Sequence, residues 1–378
     1  MYLVSPIWQP PATGGEVLVF TPLISGGNTI GMSVYKITSG PIVTPFAEIL
    51  HSDSRNELNP PVWVKADAVK YGDTWYVVLA GDVETYGGDL FSIASDGTVT
   101  DITADLGITW ISELFGPTAI AKFNGGLMVV TDQYGTSGGT NSQGYKFSPD
   151  GTTWSSMTPT VLAPQSFGSA IAGSGSNAFT GASGSTNAWL STDGLAYTDT
   201  GVNTASGAPD NFLTFNDGGI VLIAVGALNF NYIDSLGLEY GWSTFNMWAN
   251  MRFMLGYVPS FGGSPVYGVF HDNSAFILAK STTNTSYVVE APLLADLQTD
   301  GLGTRTQLST GEANGFGIFR LSATEAVAVT NLHAYHTADF TTWNTVTDLD
   351  SLIVGTLKGA GGHNPDTVTT PTGWLVGA

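Results

Sequence analysis

Three seven-residue segments of this chain repeat one arrangement of side chains. They are Ser148-Pro-Asp150-Gly151-Thr-Thr-Trp154, Ser191-Thr-Asp193-Gly194-Leu-Ala-Tyr197 and Thr337-Ala-Asp339-Phe340-Thr-Thr-Trp343. Each has a hydroxyl residue, an aspartate two positions later and an aromatic four beyond that. A weaker copy, Ser95-Asp96-Gly97-Thr98, lacks the closing aromatic. A short alternating segment with its own aromatic precedes every copy, as in Leu90-Phe91-Ser92 and Ala188-Trp189-Leu190. With that aromatic as a ruler, Tyr35, Trp242 and Tyr287 mark further degenerate copies. From Tyr35 to Tyr335 the six steps average 50 residues. A repeat of this length constrains a fold more than any single motif, because each unit must bury its faces against its neighbours.

The rest of the period reads as strands. Apolar runs recur upstream of each copy, among them Trp75 to Ala80, Leu127 to Thr131 and Ala326 to Thr330. Several are entered through tight turns such as Tyr71-Gly72-Asp73 and Asn124-Gly125-Gly126, where Asn, Asp and Gly supply positive φ at little cost. Helical periodicity is missing throughout, and 48 glycines with 18 prolines oppose it. Four strands in about 50 residues is the size of a propeller blade. The chain is therefore expected to be all-β, a single β-propeller of about seven four-stranded blades over residues 16–378, after an extended arm over 1–15. The first strands, Glu16 to Leu23, Thr29 to Ile37 and Ile42 to Ile49, fall one short of a blade. C-terminal strands at Thr367 to Thr370 and Trp374 to Val376 would complete it and close the ring, which removes free sheet edges. Eight blades follow if those strands are not shared.

The three heptapeptides resemble the Asp-box (BNR) motif of sialidases and related propellers, one residue shorter than its commonest form. Locally, the carboxylate of Asp150, Asp193 or Asp339 is placed to accept backbone N–H groups of its own turn, and Gly151 or Gly194 to turn left-handed. Ser148, Ser191 or Thr337 adds a local bond, while Trp154, Tyr197 or Trp343 packs back between sheets. The resemblance implies that these turns lie away from the ligand face, with structural duties and no catalysis.

Charge limits the partners. With 11 basic and 31 acidic residues, the net charge of −20 repels phosphate backbones, so nucleic acid is not an expected partner. The acidic residues are scattered, and no calcium loop of alternating aspartates with a downstream glutamate occurs, so no metal site is expected. There is no cysteine, hence no disulfide or thiolate site. The segment from Met1 to Gly15 has neither basic nor apolar secretory character, and no apolar run is long enough to span a membrane as a helix.

An enzyme on this scaffold would need a catalytic cluster. Sialidases grip the substrate carboxylate with three arginines, for which bidentate guanidinium geometry is suited. This chain has four, Arg55, Arg252, Arg305 and Arg320, and lacks that family's early Arg-Ile-Pro signature. Glu239-Tyr240 and Tyr76 offer a nucleophile pair in type only. His333 and His336 fall on opposite faces of a strand, which does not suit a shared metal. No nucleophile elbow, Walker loop or dinucleotide fingerprint is present, and no cofactor is expected.

The expected contact surface lies in aromatic connections: Trp110 in one, and Phe245, Trp248 and Phe253 in another. The second of these is either core under a loop or a contact surface; where exposed, such aromatics would stack on sugars or seat a protein neighbour. Low charge, abundant Gly, Ser and Thr, no cysteine and no secretion signal resemble the style of bacteriophage virion proteins. The expectation is a non-enzymatic, virion-associated propeller (a tail, fibre or capsid-decorating protein) that contacts other virion subunits and a host-surface glycan. The alternative is a glycan-processing enzyme on the same scaffold.

Overall fold

In the computed structural model the described residues are 15–25, 28–50, 63–81, 88–107, 115–133, 144–157, 166–174, 177–183, 187–193, 195–196, 198–203, 211–215, 220–223, 230–233, 239–240, 266–271, 274–280, 285–292, 305–310, 315–330, 333–347 and 374–377. They are almost entirely β-strand, with one 3-10 turn at Thr103–Leu106.

The strands run as antiparallel sets of four. The first described residues form β1 (Val17–Ser25), β2 (Asn28–Thr38) and β3 (Ile42–Leu50). Next come β4 (Trp63–Tyr71), β5 (Thr74–Gly81), β6 (Asp89–Ile93) and β7 (Val99–Asp101). The third set is β8 (Phe115–Phe123), β9 (Gly126–Gln133), β10 (Gly144–Ser148) and β11 (Ser155–Met157). The fourth is β12 (Ser166–Ser174), β13 (Asn177–Ser183), β14 (Asn187–Ser191) and β15 (Thr198–Asn203). Then follow β16 (Asn211–Phe215), β17 (Ile220–Ile223), β18 (Phe230–Ile233) and β19 (Glu239–Tyr240). The sixth set is β20 (Val266–His271), β21 (Ser274–Lys280), β22 (Thr285–Pro292) and β23 (Arg305–Thr310). Last come β24 (Gly315–Arg320), β25 (Ala326–Thr330), β26 (Ala334–Thr337) and β27 (Asn344–Thr345), with β28 (Trp374–Gly377) at the C-terminal end. Parallel pairing of β16 with β20 and of β20 with β24 joins the last three sets of this series into one sheet.

The C-terminal strand returns to the beginning. β28 pairs antiparallel with β1, Val17 opposite Gly377 and Phe20 opposite Trp374, giving a four-stranded sheet in the order β28-β1-β2-β3. β28 also lies against β4 on one side and β24 on the other.

The second strand of each well-packed set explains the long apolar runs. In β5, Trp75, Val77 and Leu79 face the chain-end sheet, whereas Tyr76 and Val78 face the β8–β11 sheet. In β9, Leu127 and Val129 share a cluster with β5, while Met128 and Val130 turn to the other side. β25 behaves the same way, with Val327 and Val329 on one side and Ala326 and Ala328 on the other. A strand sandwiched between two neighbouring sheets cannot alternate polar and apolar residues, because both of its faces are core. Each fully buried Val or Leu contributes about 1.5–3 kcal/mol. One continuous core draws on Val17, Phe20 and Met32 of the chain-end sheet, Trp75 and Val77 of the next, and Phe319 and Val329 of the last set. The joint between the two ends of the chain is thus packed on both sides.

Candidate functional site

The Asp-containing turns connect third to fourth strands, at the same sheet ends as the turns that connect first to second strands. In the best-formed one, Asp150 Oδ1 accepts the N–H of Thr152 at 2.8 Å and of Thr153 at 2.7 Å. Ser148 Oγ donates to the same oxygen at 3.1 Å and accepts the N–H of Gly151 at 2.8 Å, while Thr153 Oγ1 donates to Oδ2 at 3.2 Å. Asp339 repeats this with the N–H groups of Thr341 at 2.9 Å and Thr342 at 2.8 Å and the Thr337 hydroxyl at 3.2 Å. Asp193 takes Leu195 and Ala196 N–H, both at 2.8 Å, and the Ser191 hydroxyl at 3.2 Å. Amide donors stabilise the charged form, so the Asp150 and Asp339 carboxyls sit well below their usual range, led by the Thr153 and Thr342 N–H groups, and that of Asp193 is lowered, led by the Ala196 N–H. Asp96, in the weak copy, accepts the Thr98 N–H at 2.9 Å. An ionised carboxylate saturated by its own turn is a poor acid, base or nucleophile. Gly194 and Tyr197 lie outside the described residues.

These turns also join neighbouring sheets. Gly151 has φ +78°, and a Cβ there would overlap the Tyr76 hydroxyl of β5. The Tyr71 hydroxyl lies 2.8 Å from the Pro149 carbonyl and 2.6 Å from that of Gly125. Burial, then the charge of Asp150, pushes the Tyr76 phenol up. Trp154 packs into the same inter-sheet cluster. Gly97, φ +87°, likewise abuts the Phe46 carbonyl of β3. In the third turn a phenylalanine holds the glycine position: Phe340 keeps φ +58° and stacks on His271 of β20 at 4.1 Å, with Phe276 at 5.0 Å and Trp343 edge-on at 6.3 Å.

Charged groups cluster where the chain ends meet. Glu16 accepts Lys70 Nζ at 2.9 Å and the Trp75 indole N–H at 3.2 Å, with Lys36 Nζ at 3.7 Å. Burial works to raise its pKa, but the Lys70 hydrogen bond and the charges of Lys36 and Lys70 outweigh it and hold it low. On the opposite flank Glu325 accepts the Ser39 hydroxyl and the Gly40 N–H, and lies 3.9 Å from His336 Nε2. Sequence reasoning missed both clusters, since Glu16 and Lys70 are 54 residues apart and Ser39 and Glu325 are 286 apart.

The remaining candidates do not assemble among the described residues. Arg320 is buried and donates to the carbonyls of Ser322 and Ala323 at 3.3 and 2.9 Å. Arg305 and Glu239-Tyr240 lie on separate fourth strands, β23 and β19, and Arg55 and Arg252 fall outside the described residues. His333 sits edge-on to Tyr335, whereas His336 turns to Glu325. No group of three acidic or histidine side chains is arranged for a metal among the described residues. None of their helices is long and apolar enough to cross a membrane. Trp110, Phe245, Trp248 and Phe253 lie outside the described residues.

No family model matches the chain, and no curated protein matches it in sequence. Solved structures do. A putative 6-phosphogluconolactonase from Bacteroides uniformis superposes with a TM-score of 0.50 at 10% identity, over 88% of this chain and 96% of that one. Puromycin hydrolase gives 0.52 at 11% identity, over 90% of this chain and 54% of its own longer chain. The scaffold is a β-propeller. YCF48 bound to D1 peptide is also similar, with a TM-score of 0.45 at 12% identity over 77% of this chain and 83% of that one. At 10% and 11% identity, the likeness to the putative lactonase and to puromycin hydrolase shows the fold alone and not the chemistry of either protein.

Proposed function

We propose that this propeller is a closed ring of seven blades that serves as a non-enzymatic structural and binding component of a virion, a bacteriophage tail, fibre or capsid-decorating protein. The seven-blade reading rests on the antiparallel sets of four and on a chain-end sheet packed between β4 and β24. In this reading the heptapeptide turns are Asp-boxes of the sialidase-type repeat.

One observation carries the functional part: the aspartates of the turns at one end of the sheets are saturated by their own amides. That end holds the molecule together and offers little free chemistry. In an antiparallel set of four, the connections from second to third strand and from each set to the next belong to the other end. Trp110, between β7 and β8, and Phe245, Trp248 and Phe253, between β19 and β20, fall on such connections. We assign the contact surface for neighbouring virion subunits and a surface glycan to them. A net charge of −20 on few charged residues suits a protein surface read by aromatic and hydroxyl contacts, not by phosphate binding.

Mass spectrometry of purified virions tests the assignment. The chain should appear at fixed stoichiometry, and the pure protein should leave a glycan panel uncleaved while binding at least one member through Trp248. Turnover of any glycan, abolished by Glu239→Gln or Arg252→Ala, would replace the reading with a glycan-processing enzyme. Absence from particles would remove the virion assignment.

A further inference from the structure

We propose that residues 1–9 add a fifth strand to the chain-end sheet of their own molecule, pairing antiparallel with the outer edge of β3. With nine residues, β3 is the longest outer strand of any set; its counterparts β7, β11, β15, β19, β23 and β27 have two to six. Among the described residues β3 pairs with β2 alone. An unpaired edge is a row of N–H and C=O groups that recruits another strand, and native sheets blunt it by keeping it short or charged. β3 is long, and Glu48 is its one charge. Its side chains carry the same signal. Three of the four large apolar residues left exposed among the described residues belong to this sheet: Ile42 at 57%, Leu50 at 55% and Ile30 at 39%. Ile42 and Leu50 are the two ends of β3, and Ile30 adjoins Gly31, the partner of Leu50.

Position, direction and chemistry single out the occupant. Val17 of β1, Ile37 of β2 and Val43 of β3 stand in one row across the sheet, so Gly15 lies at the end that carries the β2–β3 turn. A Cβ on Gly15 would overlap the Arg320 carbonyl, and this close fit fixes where the preceding chain starts. Residues 1–14 lie outside the described residues and continue from that point. Neighbouring strands are about 4.8 Å apart, so a place beyond β3 is about 15 Å from β1. Residues 10–14 cover that distance at about 3.3 Å each. Residues 1–9 then lie along β3 over its whole length, and their direction is antiparallel because their last residue is at the turn end. Met1, Tyr2, Leu3, Val4, Ile7 and Trp8 are apolar, and no charge precedes Glu16. Nothing therefore repels Glu48, and Ile42 and Leu50 gain apolar cross-strand neighbours. Pro45 has no N–H to give and sits at the irregularity opposite Val34 and Tyr35, so the new ladder forms on either side of it.

Hydrogen–deuterium exchange of the full chain, read by peptide mass spectrometry, tests the docking. Peptides covering Ile42–Leu50 should exchange about tenfold more slowly in the full chain than after deletion of residues 1–9, while peptides from β5 and β9 keep their rates. Val4→Pro, placed outside every described strand, should accelerate the same peptides, which gives an answer even where the deletion harms the ring. Light scattering should find a monomer, with exchange independent of protein concentration. Equal exchange of Ile42–Leu50 in the three proteins would overturn the proposal, as would acceleration no greater in β3 than in β5 and β9. A dimer in which protection of β3 rises with concentration would put a second copy on the edge and overturn it as well.

Discussion

A phenylalanine at positive φ is the residue that departs most from the local rules of its own turn. Left-handed backbone costs a non-glycine residue about 1–2 kcal/mol. Phe340 tolerates this because its ring is buried among His271, Phe276 and Trp343. Phe340→Gly relieves the backbone but empties the cluster, where loss of a buried aromatic costs about 3–5 kcal/mol. The net outcome should be destabilisation by about 1–4 kcal/mol, measured by denaturant unfolding; a neutral or stabilising result would show that strain dominates. The converse change belongs to the turn that keeps its glycine. Gly151→Ala must adopt φ +78° and also overlap the Tyr76 hydroxyl, so a loss of about 2 kcal/mol or more is expected. The double variant Gly151→Ala, Tyr76→Phe should recover only a small part of it, because the ring carbon Cζ still lies 2.3 Å from the added Cβ and the backbone strain remains.

At the scale of elements, sheets adhere through pairs that sequence distance hides. Glu16, next to β1, is tied to β2, β4 and β5 through Lys36, Lys70 and the Trp75 indole. Its carboxyl is held below the ordinary value of 4.5 in the folded protein. A depressed carboxyl stabilises the fold above its unfolded pKa and loses that contribution as pH falls through the lower folded pKa. Thermal stability should therefore decline on acidification below about 4.5, with a smaller slope in Glu16→Gln. Equal slopes for the two proteins would show that Glu16 is not a linkage group. The effect at neutral pH is modest, about 0.5–1 kcal/mol, because the Lys36 and Lys70 side chains keep 16% and 31% of their exposure.

At the scale of the whole molecule, the strand that ends the chain covers the strand that begins it. Deleting residues 374–378 would unpair β1 from Val17 to Phe20, four residues with no solvent exposure in the intact protein. Re-exposing apolar side chains at about 1.5–3 kcal/mol each, on an open edge, should lower stability by at least 3 kcal/mol and promote association. Thermal melting and size-exclusion chromatography read both effects, and an unchanged, monodisperse protein would contradict the role given to β28. The repeat length, the hairpin turns and the apolar runs are local facts, so the strands, their order and the four-to-a-period grouping were legible from residue patterns. In β5 and β9 the apolar runs are continuous because both faces of each strand are buried. The Asp-containing turns were legible too, because their bonds close within a few residues. The four aromatics proposed as contacts, Trp110, Phe245, Trp248 and Phe253, lie outside the described residues. What neighbours what across sheets had no local signature: Glu16 with Lys70, Gly151 on Tyr76 and Phe340 on His271 all arise when separately formed sheets stack. By itself the sequence determined which segments become strands and turns, since those depend on backbone preference and alternation over a few residues. Only the tertiary structure decided which charges are matched, which strained residue is sheltered and how the two ends meet, since those depend on through-space packing that chain order does not encode locally.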